Sequence, residues 1–359
     1  MSRLLSTVSA ITFIAGTYAS ADVPKVVADI APIHSLVSRV MEGVGEPKLI
    51  VPNETSPHDY RLRPADAEAI ENANLVFWMG EGLTPWMERA LEALSNDTDI
   101  IEFLALEEST LLSFREGALF EAHDHSDHDD HDKDHDDHDD HDDHDKDHDD
   151  HDDHDDHDKD HDDHDDHDDH DKDHDDHDDH DDHAGHDHGE YDPHAWLSTN
   201  NAKTWLNVIA ARLSSIDPDN AGAYFANASE ARGEMDALDV EINTMLDPVR
   251  GGKFVVFHDA YQYFETVYDF PASGAISLGD ASDPSAARVA EIANRIKSEN
   301  IACVLSEPQF NAGLVKTVMG GTDATTEVID PLGFGIEPGK SLYPKLIRAM
   351  AQSLVNCLK

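Results

Sequence analysis

Outside one histidine-rich tract, the 359-residue chain carries four histidines, His34, His58, His194 and His258. Three of them stand in contexts suited to metal binding. His58 lies in Ser56-Pro57-His58-Asp59-Tyr60, His194 in Tyr191-Asp192-Pro193-His194-Ala195-Trp196, and His258 closes the apolar run Phe254-Val255-Val256-Phe257. Neutral imidazole nitrogens bind Zn²⁺ at about 2.0–2.1 Å, and three of them with one carboxylate make a four-ligand set. Asp330, directly after Ile329, offers that carboxylate. Taken singly, each histidine reads as a structural residue; taken together, and with the tract, they read as a metal site. Glu54 is a further candidate carboxylate. Glu307, in Ser306-Glu307-Pro308, reads as a residue that orients a ligand or holds a turn, and His34 as support or packing.

The tract runs from His123 to His188 and holds 37 Asp, 22 His and four Lys. A 13-residue unit, DKDHDDHDDHDDH, recurs with its lysines at positions 133, 146, 159 and 172. With no apolar residues to bury, such a segment cannot offset its ordering entropy, so a disordered loop is expected. Imidazole and carboxylate side by side suit several weak transition-metal sites rather than one strong one. A solvated polyanion is the plainer alternative, but aspartate alone would serve that purpose. The glycine turn and closing glutamate of an EF-hand are missing.

The tract also explains most of the formal net charge of −53, with 78 acidic against 25 basic residues. A body so acidic cannot neutralise phosphates, which excludes nucleic acid as a partner. Residues 1–21 combine Arg3, an apolar stretch from Leu4 to Ala15, and Ala19-Ser20-Ala21 before the expected cut. This pattern is that of a secretory signal peptide, and places the mature protein in a periplasm. In such an oxidising compartment Cys303 and Cys357 read as a disulfide, with two buried free thiols as the alternative.

Elements able to position these ligands recur as two sets. Strand-like runs at Lys25–Ile30, Lys48–Val51, Leu75–Met79 and Asp99–Phe103 alternate with helix-like segments at Ser35–Met41, after Pro64, and at Pro85–Leu94. A second set, Phe254–Phe257, Ala275–Ser277, Ala302–Ser306 and Glu327–Ile329, is interleaved with helical segments near 261–268, 284–299, 312–319 and 343–358. Between them a helix near Asn201–Ser215 precedes a longer one opened by Asp217-Pro218. That longer helix shows an apolar stripe of Tyr224, Ala228, Ala231, Met235, Leu238, Ile242 and Met245. The expected class is α/β with parallel sheets. The expected organisation is a leader at 1–21, a first lobe at 22–216 carrying the tract, a linking helix at 217–248 and a second lobe at 249–359. His58, His258 and Asp330 then fall at or beyond carboxyl ends of strands, where α/β sheets bind ligands.

In order and spacing, SPHDYRLRPAD, NANLVFWMG, DPHAWLS, FVVFHDAYQYF, SEPQF and IDPLG resemble the ZnuA-like zinc-binding proteins of ABC transporters. The resemblance covers essentially the whole mature chain. It implies two (β/α)₄ lobes bridged by a rigid helix, with zinc in the cleft. It implies His58 and His194 as ligands from the first lobe, His258 from the second, Asp330 as the fourth position, and a closed Cys303–Cys357 pair. Some relatives have a glutamate directly before the first histidine; here Pro57 stands there, which leaves Asp330, Glu54 or water for the fourth place.

The function this implies is capture of Zn²⁺ by a monomer and delivery to a membrane permease, without covalent chemistry. Because imidazoles near pKa 6.5 must be neutral to coordinate, affinity is expected to fall below about pH 6. A manganese or iron binder of the same architecture would call for harder oxygen ligands. A secreted zinc hydrolase would need a general base near the ion, and HExxH is absent from the sequence. A metal buffer would need only the tract.

Overall fold

A computed structural model describes residues 23–95, 98–115, 120, 191–277, 284–309 and 312–359. The leader at 1–21 and the tract at 123–188 lie outside the described residues. In the first lobe the elements run β1 (Val26–Ala28), α1 (Ala31–Val40), β2 (Lys48–Leu49), α2 (Pro64–Glu71), β3 (Leu75–Trp78), α3 (Pro85–Leu94) and β4 (Asp99–Glu102). They form a four-stranded sheet of order β2-β1-β3-β4, parallel throughout. Strands β1 and β3 are buried at every position. Burial on both faces is why they read as unbroken apolar runs rather than alternating ones.

After α4 (Thr199–Ile216) and α5 (Ala221–Leu246), the second lobe repeats the plan. Its elements are β5 (Phe254–His258), α6 (Gln262–Tyr268), β6 (Ala275–Ser277), α7 (Ala286–Glu299), β7 (Cys303–Ser306), α8 (Ala312–Val318), β8 (Thr325–Val328) and α9 (Leu342–Leu358). The sheet order is β6-β5-β7-β8, again parallel.

Among the departures from the sequence reading, two have plain physical reasons. Helix α1 begins at Ala31 rather than Ser35, because Pro32 occupies its first turn, where the missing N–H costs nothing; His34 therefore sits within a helix. The buried stripe of α5 ends at Leu246, with Met245 only partly covered, since Ile242 is followed by a step of four.

Helix α5 packs against α4, α1 and α9, and spans 26 residues, about 39 Å at 1.5 Å per residue. One apolar core runs through both sheets and these helices, while Val255, Phe257, Ile276, Ile292, Ile296 and Val304 help form a second cluster in the second lobe. Cys303 and Cys357 are disulfide-bonded, joining the start of β7 to the last turn of α9 across a sequence separation of 54. In the chain-entropy model a loop of that size contributes about 4 kcal/mol.

Candidate metal centre

On the second-lobe wall, position follows from strand register. Phe254 pairs with Cys303 across β5 and β7, so four residues further on His258 stands beside Glu307. Side chains alternate along a strand; Phe254, Val256 and His258 share one face of β5, and Cys303, Leu305 and Glu307 the matching face of β7. The sheet order changes direction between these strands, at the crevice where such sheets bind ligands. His258 Nδ1 lies 2.6 Å from Glu307 Oε1, and both residues are buried.

The first-lobe wall is a tight turn. Asp192 Oδ1 accepts from the His194 backbone N–H at 3.0 Å and lies 2.7 Å from His194 Nδ1. A short 3₁₀ turn, Ala195–Leu197, then leads to Ser198, whose hydroxyl caps α4 by accepting from Asn201 N–H. The turn is anchored from both sides. Asp192 N–H donates to the Leu112 carbonyl, Ser113 bridges Tyr191, and Tyr263 of the second lobe donates its hydroxyl to the Asp192 carbonyl at 2.8 Å.

The two imidazoles meet across the lobes, His194 Nε2 lying 3.4 Å from His258 Nε2, with ring centres 5.3 Å apart. Each Nδ1 faces a carboxylate, the arrangement that orients a metal-binding imidazole and makes its Nε2 the atom for the ion when Nδ1 holds the proton. Two imidazoles on one tetrahedral ion bonded at about 2.0–2.1 Å would have nitrogens about 3.4 Å and ring centres about 5 Å apart. The observed pair has that spacing.

His58 approaches from a loop held by its neighbours. Trp86 Nε1 donates to the Pro57 carbonyl at 2.8 Å, and Tyr60 hydroxyl donates to Asp66, which also pairs with Arg63. The His58 ring centre is 6.1 Å from that of His194, about 1 Å beyond the spacing of two imidazoles sharing an ion.

Asp330 lies two residues beyond β8, in a turn where its Oδ1 accepts from Leu332 N–H at 3.0 Å and Gly333 takes a positive φ of 87°. Burial raises its pKa, and Glu307 raises it further, against backbone hydrogen bonds that lower it. This turn is tied to the first lobe. Trp196 Nε1 donates to the Pro331 carbonyl at 2.8 Å, and Asn53 donates its amide to the Gly333 and Ile336 carbonyls.

Among the described residues, no three of His, Cys, Asp and Glu close around a single ion position as they stand. The tightest association of the expected residues is the His194–His258 pair, with His58 beside it and Asp330 in the turn joined to Trp196. Glu54 is exposed. His34 is placed elsewhere, its Nε2 3.1 Å from the Pro47 carbonyl, facing a cavity of about 430 Å³ also lined by Glu42, Glu46 and Lys340. Sequence reasoning missed Asp192, Trp196, Asn53 and Trp86 as positioning residues. Of these only Asp192 had a local signal, an aspartate two residues ahead of a candidate ligand, the spacing at which its side chain caps the backbone.

The family profile described as ZnuA, zinc-uptake complex component A, periplasmic, matches residues 26–357. The chain belongs to the ZnuA family. It is 43% identical over 361 aligned positions to the high-affinity zinc uptake system protein ZnuA of Brucella abortus (strain 2308), covering 100% of this chain and 99% of that one. The corresponding protein of Paracoccus denitrificans (strain Pd 1222) is also 43% identical, over 95% of this chain and 93% of its own. Among solved structures, one described as the crystal structure of ZnuA superposes with a TM-score of 0.66 at 21% identity, covering 94% of this chain and 100% of that one. The laminin-binding adhesin Lmb of Streptococcus agalactiae gives 0.65 at 18%, again covering 94% and 100%. The ZnuA family and its structural neighbours therefore share this two-lobed α/β fold.

Proposed function

We propose that this ZnuA-family chain is the periplasmic zinc-binding component of an ABC transporter, capturing Zn²⁺ in the interlobe site and delivering it to the membrane permease. The observation that carries this reading is the His194–His258 pair, with nitrogens spaced as on a tetrahedral ion and each second ring nitrogen on a carboxylate. His58 and Asp330 complete the proposed set. Zinc is cargo here and leaves unchanged.

Charge balance supports the same assignment. Three neutral imidazoles and the Asp330 carboxylate would leave a buried divalent cation only half compensated, which is costly. Asp192 and Glu307, placed behind two of the imidazoles, add carboxylate charge near the ion without occupying ligand positions. Carboxylate partners of this kind also orient the rings and raise their basicity. Nitrogen-rich coordination favours zinc over the harder manganese. The relatives are named as zinc-uptake proteins, which favours transport over a hydrolase.

For the compartment, no helix among the described residues is long and apolar enough to cross a membrane. Residues 1–21, with Arg3, the apolar stretch Leu4 to Ala15 and Ala19-Ser20-Ala21, are read as the export signal, and the His/Asp-rich tract as a gatherer of zinc. The direct test is uptake of radioactive zinc by cells depleted of zinc, with the chain intact, with His194→Ala, or with residues 123–188 deleted. Uptake lost with His194→Ala and slowed by the deletion is expected. Uptake indifferent to His194 would overturn the transport role of this site.

A further inference from the structure

Helix α6 of the second lobe opens with Gln262 and Tyr263, four and five residues beyond His258. Both reach across to Asp192 of the first lobe. Tyr263 is buried, and its hydroxyl donates to the Asp192 carbonyl at 2.8 Å while accepting from the Leu112 N–H at 3.0 Å. The Gln262 amide stands between two acceptors, so its NH₂ group faces them, donating to Asp192 Oδ2 at 3.1 Å and to the Ser113 carbonyl at 3.2 Å.

The two carboxylate oxygens of Asp192 therefore answer to different lobes. Oδ1 accepts from the His194 backbone N–H at 3.0 Å and lies 2.7 Å from His194 Nδ1. Oδ2 is held by Gln262. The last torsion of an aspartate is soft, so a carboxylate engaged through one oxygen can turn, whereas one engaged through both is fixed in plane. That plane sets the direction from which Oδ1 meets the imidazole, and with it the aim of Nε2. Asp192 is buried, so bulk water does not stand in for the amide.

We propose that Gln262 is a positioning residue for zinc binding, which from the second lobe fixes the carboxylate that orients the first-lobe ligand His194. This inference rests on the reading of His194 as a zinc ligand. Its consequence is that His194 is fully aimed only while the lobes are together, so ligand orientation and lobe contact reinforce one another. Apparent affinity scales with the fraction of molecules whose ligand is aimed.

The test is competition of the full-length protein for Zn²⁺ against a chromophoric chelator strong enough to empty the tract. Wild type, Gln262→Met, Asp192→Asn, the double variant and His194→Ala are compared, each below its melting temperature. Gln262→Met keeps the length of a half-buried side chain and removes the amide. Hydrogen exchange of the His194 backbone amide in the zinc-free protein reads how firmly Asp192 Oδ1 is held.

The expected result is about a tenfold loss of zinc affinity in Gln262→Met, the lower end of the range for a ligand's partner, because the amide acts through that partner. The His194 amide should exchange faster, and Gln262→Met should cost nothing further once Asp192→Asn is in place. Wild-type zinc affinity in Gln262→Met, or the same tenfold loss in the Asp192→Asn background, would overturn the proposal, and a large loss in His194→Ala would then leave the zinc site standing. Unchanged exchange beside weakened binding would also overturn it, since the amide would act by a route other than Asp192. No loss in His194→Ala would overturn the ligand reading together with the inference.

Discussion

Trp196 and Pro331, 135 residues apart in the chain, are joined by an indole N–H to carbonyl hydrogen bond of 2.8 Å. One residue lies two places after His194 and the other directly after Asp330, so a single bond couples the two turns that hold these proposed ligands. Tyr343 reinforces it, its hydroxyl donating to the Trp196 carbonyl and its backbone N–H to Ser35. Opening the lobes widely would break all of these at once.

Trp196→Phe removes the donor and part of the buried indole, so some stability is lost as well. A net hydrogen bond of about 1 kcal/mol converts to roughly a fivefold change in equilibrium, so zinc affinity, measured where the variant is fully folded, should fall about five- to tenfold. Chelator competition measures it. Affinity equal to wild type would mean that the Asp330 turn holds its place without Trp196.

Glu307→Gln and Asp192→Asn keep the shape of each partner and remove its charge. Each should weaken zinc binding about 10- to 100-fold, as loss of a ligand's partner commonly does. The buried negative charge behind His258 or His194 is what the variants lack. Calorimetry that shows either variant binding as tightly as wild type would deny that these carboxylates compensate the cation.

Arg115 pairs with Asp259 and Glu265, and both carboxylates are buried. Removing the cation strands two buried anions, a change that typically costs 3–5 kcal/mol or about that, so Arg115→Gln should be strongly destabilised. Burial already raises both carboxyl pKa values against the pull of Arg115. Without it they rise further, the folded state takes up protons, and the deficit should be smallest at low pH and grow as pH rises. Urea unfolding at pH 5 and pH 8 tests the sign; a deficit independent of pH would contradict it.

Asp29, at the end of β1, is fully buried and its pKa is pushed up to about 7, chiefly by burial. The unfolded value is about 3.9. The folded state therefore binds the proton more tightly, and the stability this lends is present below the unfolded pKa and lost as pH rises toward 7. The loss is on the order of 4 kcal/mol by linkage. Wild-type unfolding free energy should fall between pH 4 and pH 8 more steeply than that of Asp29→Asn. Parallel profiles would show that Asp29 stays ionised in the fold.

Much of this was readable in the chain. Strands such as Phe254–His258 stand out because a parallel sheet buried on both faces needs unbroken apolar runs. His258 could be placed at a strand end for the same reason, and Glu307, read as orienting a ligand or holding a turn, stands 2.6 Å from it. The start of α1 was misplaced because Pro32 reads as a break until its first-turn position is known. The bonds Trp196–Pro331 and Arg115–Asp259 span 135 and 144 residues, and no local pattern announces partners so far apart. Likewise, the facing Nε2 atoms depend on how two lobes meet, which spacing within one strand or turn does not reveal.

The most direct measurement is zinc calorimetry on protein lacking residues 123–188, beside His194→Ala and His258→Ala in the same background. One tight ion per chain is expected, weakened at least 100-fold by either substitution. A tight zinc ion that survives loss of either imidazole would contradict the site built on His194 and His258.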